Sequence, residues 1–104
     1  MKKKFLVVYE HGVGNYSGFA PDIPGCISTA KTLPVMRRMM KEALETHLQF
    51  MASDGDPMPE PVTTNVRFSP EDDPEGEVDH YVVERLEIEV PISQKIPAAE
   101  AMTA

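Results

Sequence analysis

Five apolar residues, Phe5 to Tyr9, follow three lysines without a break, and the segment KKFLVVYE at 3–10 reads as a strand with at least one buried face. HGVGN at 11–15 then supplies residues that tolerate positive φ, so the chain reverses. YSGFA at 16–20 is the return strand, with Tyr16 and Phe19 on opposite faces by the period of two. Pro21 and Pro24 each remove an amide donor, and PDIPG is therefore expected to interrupt pairing as a wide connection before a third strand, CISTAK, at 26–31. Thr32 offers a hydroxyl cap and Pro34 suits a first helical turn, so a helix is expected from about Leu33. Its apolar positions Met36, Met39, Met40, Ala43, Leu44, Leu48 and Met51 recur at three and four, the spacing of one helical face. Gly55 can close it in a left-handed cap.

From 56 to 79 the pattern fades into a Pro-rich, acidic loop, within which VTTNVRF at 62–68 alternates and is read as a short extra strand. HYVVERLEIEV at 80–90 alternates far better, placing Val82, Leu86, Ile88 and Val90 on one face with Glu84 as the exception. Pro91 and Pro97 end regular sheet, and the tail to Ala104 is expected to be flexible. The order strand, strand, strand, helix, loop, strand defines an α+β domain over 1–91, a small antiparallel sheet (β-β-β-α-β) with one main helix on one face, followed by a tail at 92–104. The other face is expected to stay open, to be covered by a partner or a second copy of the chain.

Composition narrows the functions open to such a domain. At 104 residues one core is expected, and 41% apolar content suffices to form it. Seventeen acidic against ten basic side chains give a net charge of −7, which repels phosphate backbones and attracts basic partners. Direct nucleic-acid binding is not expected, although Lys2–Lys4 and the group Arg37, Arg38 and Lys41 are local basic clusters. Cys26 is the single cysteine, so no internal disulfide or thiolate zinc cluster can form within the chain. The apolar run at the N-terminus is far too short for a signal peptide core or a membrane span, which makes the cytoplasm the expected location.

The residues with chemical potential mostly have plainer readings. Cys26 reads as a small buried hydrophobe, because a reactive thiolate needs a base or positive field beside it. His11, His47 and His80 are scattered, and no metal ligand is assigned. GVG at 12–14 is a turn and leads into no helix. Glu10, Asp22 and Glu42 form a minority constellation for a divalent-metal nuclease. No catalytic, cofactor or metal residue is expected. The acidic loop from Glu71 to Asp79 is a solvated connection that would also steer a basic protein onto the domain.

The stretch YSGFAPDIPGCISTAKTLPVMRRMMKEALETHLQFMASDGDPMPEP, with its PD-hydrophobe-PGC loop, Thr-capped helix, Ala-Leu pair and Gly- and Pro-rich exit, resembles the HicB family of antitoxins. The resemblance covers 5–62 and, loosely, the last strand. It implies a partial ribonuclease-H-like fold and a non-enzymatic role in a type II toxin-antitoxin system, binding and masking a small basic toxin of the HicA type that cleaves messages. It also assigns Tyr16, Phe19, Asp22 and Ile23 around the loop to a partner surface, to which charge adds Glu71, Asp72 and Asp73; a homodimer or higher oligomer is expected. The chain departs from the family pattern in the length of its 56–79 insertion and in Val35, where such helices often carry an acid. The 14 residues after Val90 are too few for the DNA-binding segment that many relatives add, so operator binding is not expected of this chain. The alternatives are a HicB-like binding module with another partner, and the nuclease built on Glu10, Asp22 and Glu42.

Overall fold

The unbroken run Phe5–Tyr9 becomes the middle of the longest strand, and all five residues are buried because the sheet is covered on both sides of it. In the computed structural model, which describes residues 1–92, this strand is β1 (Lys2–Gly12), followed by β2 (Asn15–Ala20), β3 (Ile23–Ala30), the helix α1 (Leu33–Ser53), a 3-10 turn (Pro70–Asp72) and β4 (His80–Glu89). The sheet is antiparallel with order β3-β2-β1-β4. Most of the tail expected after 91 lies outside the described residues. Among the described residues, no helix is long and apolar enough to cross a membrane.

The β1–β2 hairpin turns at Gly14, whose φ of 79° lies in the left-handed region that favours glycine. The PDIPG segment differs from its expected role as a wide connection. The chain turns at Pro21–Asp22, and β3 has already begun at Ile23, which pairs with Ala20. The next pair is Phe19 with Ile27, so Pro24, Gly25 and Cys26 form a bulge, with Gly25 at φ 85°. Such a strand tolerates proline because β3 is at the sheet edge, where a missing donor need not break a ladder.

Helix α1 begins as its cap residues require. The Thr32 hydroxyl accepts a hydrogen bond from the Val35 amide at 3.4 Å, and Pro34 occupies the first turn. Met36, Met40, Leu44, Leu48 and Ala52 are fully buried against the sheet, while Met39 turns partly to solvent. The helix lies close over β2 because Gly18 has no side chain. A Cβ there would stand 3.0 Å from the Tyr9 ring, 3.1 Å from Met36 Cε and 3.2 Å from Met40 Sδ.

The 62–68 segment is not a strand. It leaves three prolines, Pro57, Pro59 and Pro61, and runs from the β2–β3 turn to β4 across the sheet face opposite the helix, where its alternation meets no parallel edge to pair with. At one end Asp22 accepts hydrogen bonds from the Thr63 amide at 2.9 Å and the Thr63 hydroxyl at 2.6 Å. At the other, Phe68 stacks on Tyr81 with ring centroids 3.8 Å apart. The face expected to be open is thus partly crossed by the chain itself, and Leu6 and Val8, which point away from the helix, are buried on it. The segment returns at Asp79, whose amide donates to the His11 carbonyl at 2.7 Å.

Candidate functional site

Strand register lines up residues that are far apart in sequence. On the helix-distal face, Ile27, Phe19, Val8 and Val83 form one apolar row across all four strands. Val8 is buried and Phe19 half-buried in its middle, while Ile27 is 70% and Val83 41% exposed at the two edges. The adjacent row is Thr29, Ser17, Glu10 and Tyr81, roofed at Tyr81 by Phe68. Burial, followed by the neighbouring carboxylates Asp73 and Asp72, raises the Glu10 carboxyl above the ordinary carboxylate range. The same causes, with Glu10 as the nearest influence after burial, raise the Tyr81 hydroxyl. These acids are held in place locally: Asp73 accepts from the Glu77 and Val78 amides at 2.9 Å each, and Asp72 accepts from the Ser69 amide at 3.0 Å. The outcome is an apolar strip beside a concentration of negative charge.

The helix-side face carries a different group beyond the start of α1. Tyr16, His11 and His80 are consecutive partners in one row, with His11 and Tyr16 ring centroids 4.5 Å apart and His11 and His80 4.7 Å apart. Asp79 Oδ1 lies 2.8 Å from His11 Nδ1 and 2.6 Å from His80 Nδ1. Hydrogen bonding to His11 is the main cause that lowers the Asp79 carboxyl below its ordinary value. A few residues away, Glu84 accepts from the Tyr9 hydroxyl and from Arg37 Nε, and burial followed by the Glu84 charge raises the Tyr9 hydroxyl.

A shallow groove of about 460 Å³ separates the edge strand β3 from α1, lined by Cys26, Ile27, Met39, Glu42, His47 and Phe50 among others. Burial raises the Cys26 thiol, which keeps it protonated and poorly nucleophilic, in line with its reading as a small hydrophobe.

The structure separates the residues assigned from sequence to a partner surface. Tyr16 faces the helix side and Phe19 the opposite side. Ile23 is 1% exposed and belongs to the core, a correction to its surface assignment: the bulge in β3 turns it inward against the helix. Asp22 is committed to Thr63, so its first role is to hold the crossing segment. Glu71 and Asp72 are exposed on the 3-10 turn, with Asp73 half-buried beside them. Glu10, Asp22 and Glu42 are not assembled: Glu10 lies on the helix-distal face, Asp22 at the far end of β2, and Glu42 on α1. Sequence reasoning missed the meeting of His11 with His80, for which no local spacing exists, and the exposed ends of the apolar row at Ile27 and Val83.

Comparison with known proteins gives these surfaces a context. The model of a family described as the HicB-like antitoxin of bacterial toxin-antitoxin systems matches residues 6–95, and the chain belongs to this family. Among solved structures it is similar to a chain of a HicA3 and HicB3 toxin-antitoxin complex, at 22% identity with a TM-score of 0.60, covering 86% of this chain and 99% of that one. That likeness shows a HicB-like fold. A comparison with curated proteins finds no match.

Proposed function

We propose that this chain binds and masks a small basic toxin of the HicA type, acting as a non-enzymatic antitoxin through its helix-distal face. The observation that carries this reading is the coincidence on that face of an apolar row with exposed ends, Ile27 and Val83, and the acids Glu10, Asp72 and Asp73. Apolar contact supplies affinity where water is excluded, while the acids attract a cationic surface and hasten encounter. The net charge of −7 has the sign needed to occupy a surface shaped for RNA. Phe19 and Glu71 remain part of the proposed surface; Tyr16, on the other side, does not. Membership of the antitoxin family and the likeness to a chain of a HicA3 and HicB3 complex support a toxin partner.

A homodimer in the cytoplasm is part of the proposal, with sedimentation of the purified chain as its check. The main test is co-expression with a HicA-type toxin encoded beside the gene. Rescue of growth and co-purification are expected, both lost in the double variant Ile27→Glu, Val83→Glu while the free variant stays folded. Failure of the wild-type chain to bind or rescue would instead favour a HicB-like module with another partner.

A further inference from the structure

The geometry points to a second site, independent of the proposed toxin-binding face: His11, Asp79 and His80 form a binding site for a divalent first-row transition ion of the zinc type. Each of these residues offers one ligand atom, and the three atoms lie within 4.8 Å of one another. Both imidazoles direct Nδ1 at the same carboxylate oxygen, at 2.8 and 2.6 Å. At a tetrahedral ion with bonds of about 2.0–2.1 Å, neighbouring ligand atoms stand roughly 3.3 Å apart. An opening of about half an ångström between each imidazole and the carboxylate would therefore admit the ion in place of the protons now shared there.

The frame that carries the three ligands is built before any ion arrives. His11 and His80 are direct partners in the β1–β4 ladder, and their rings stack 25° from parallel. Asp79 is covalently next to His80, and its amide is tied to the His11 carbonyl at 2.7 Å, so both approaches to the site are held by backbone. Tyr16 packs against the two rings on the β2 side. The side chains of His11, Asp79 and His80 are 27%, 61% and 50% exposed, which lets an ion enter from solvent and leaves positions open for water.

The donor set selects the class of ion. Two imidazole nitrogens with a single carboxylate suit zinc, nickel, cobalt or copper, whereas calcium and magnesium require mainly oxygen ligands. The acidic character of the whole chain adds a favourable field for a cation.

The test uses the untagged full-length chain titrated with Zn²⁺ in a buffer that does not chelate it, read by calorimetry and by the imidazole resonances in NMR spectra. One equivalent is expected to bind, with the His11 and His80 resonances shifting and that of His47 on the helix unmoved. His80→Ala is expected to weaken binding by at least about tenfold, since loss even of a supporting group costs that much, and His47→Ala to leave it unchanged. No stoichiometric binding, binding that survives His80→Ala, or shifts centred on His47 would overturn the site. The resonance shifts of the wild-type chain decide the matter even if a variant fails to fold. None of these readouts involves the toxin, so this site and the antitoxin reading stand or fall separately.

Discussion

Arg37 on the helix and Glu84 on β4 form an ion pair across the layer boundary, with Arg37 Nη2 2.9 Å from Glu84 Oε1, and the Tyr9 hydroxyl donates to the other carboxylate oxygen at 3.2 Å. Glu84 interrupts the apolar alternation of β4 and would otherwise carry an unpaired charge toward the helix. The pairing explains why an acid is tolerated there. It also ties the first turns of α1 to the end strand of the sheet.

Removing the Glu84 carboxylate strands the Tyr9 hydroxyl in the core, where Tyr9 is fully buried. Glu84→Ala is expected to lower unfolding stability by about 1–3 kcal/mol, and Tyr9→Phe, which deletes only the donor, by about 0.5–1.5 kcal/mol. Urea denaturation of the two variants checks the order. Equal losses would show that leaving the Tyr9 hydroxyl without its acceptor adds no cost of its own.

Glu10 is expected to behave in the opposite sense. Its carboxyl is raised in the folded chain by burial, Asp73 and Asp72, so the folded state binds that proton more tightly than the unfolded state. The contribution to stability therefore falls as pH rises from the unfolded value through the raised folded value, and the cost is complete only above the latter. Glu10→Gln is expected to stabilise the free chain at neutral pH, with the gain vanishing in acid, and to weaken association with a basic toxin while reducing its salt dependence. Thermal melts at two pH values and binding at two ionic strengths measure both effects.

The Asp22–Thr63 contact fastens the segment that crosses the sheet. With both hydrogen bonds to a charged acceptor removed, Asp22→Ala is expected to cost about 1–3 kcal/mol and to release the 56–79 segment before the core. Hydrogen exchange should show faster exchange of the Thr63 amide with α1 unchanged. Uniform loss of protection would mean that the segment and the sheet unfold together.

Gly18 sets the distance between α1 and the sheet. Valine at this position meets the Tyr9 ring as well as two methionine side chains, and only the methionines can readily swing aside. Gly18→Val is expected to destabilise the fold by about 1–3 kcal/mol through overpacking, measured by chemical denaturation.

The elements themselves were legible because their signals are local. The Thr32 cap, the three-and-four spacing from Met36 to Leu48 and the alternation of β4 are each contained within one segment, and each appears where the sequence places it. The same locality misread 62–68 as a strand, since alternation does not say whether an edge lies alongside to receive it. It also misjudged PDIPG, because a proline within β3 is acceptable only once that strand is known to be at the edge.

The sequence by itself determined the helix, the strands, the acidic balance and the residues that resemble the HicB family. Only the tertiary structure decided which side chains share a face: the row from Ile27 to Val83, the meeting of His11 with His80, and the partner that makes Glu84 acceptable. These depend on the register of β4 against β1, two strands separated by the helix and the whole crossing segment. A shift of one residue in β4 would send His80, Val83 and Glu84 to the other face, away from His11, Val8 and Tyr9, and the choice of register is made by the packing of the assembled layers.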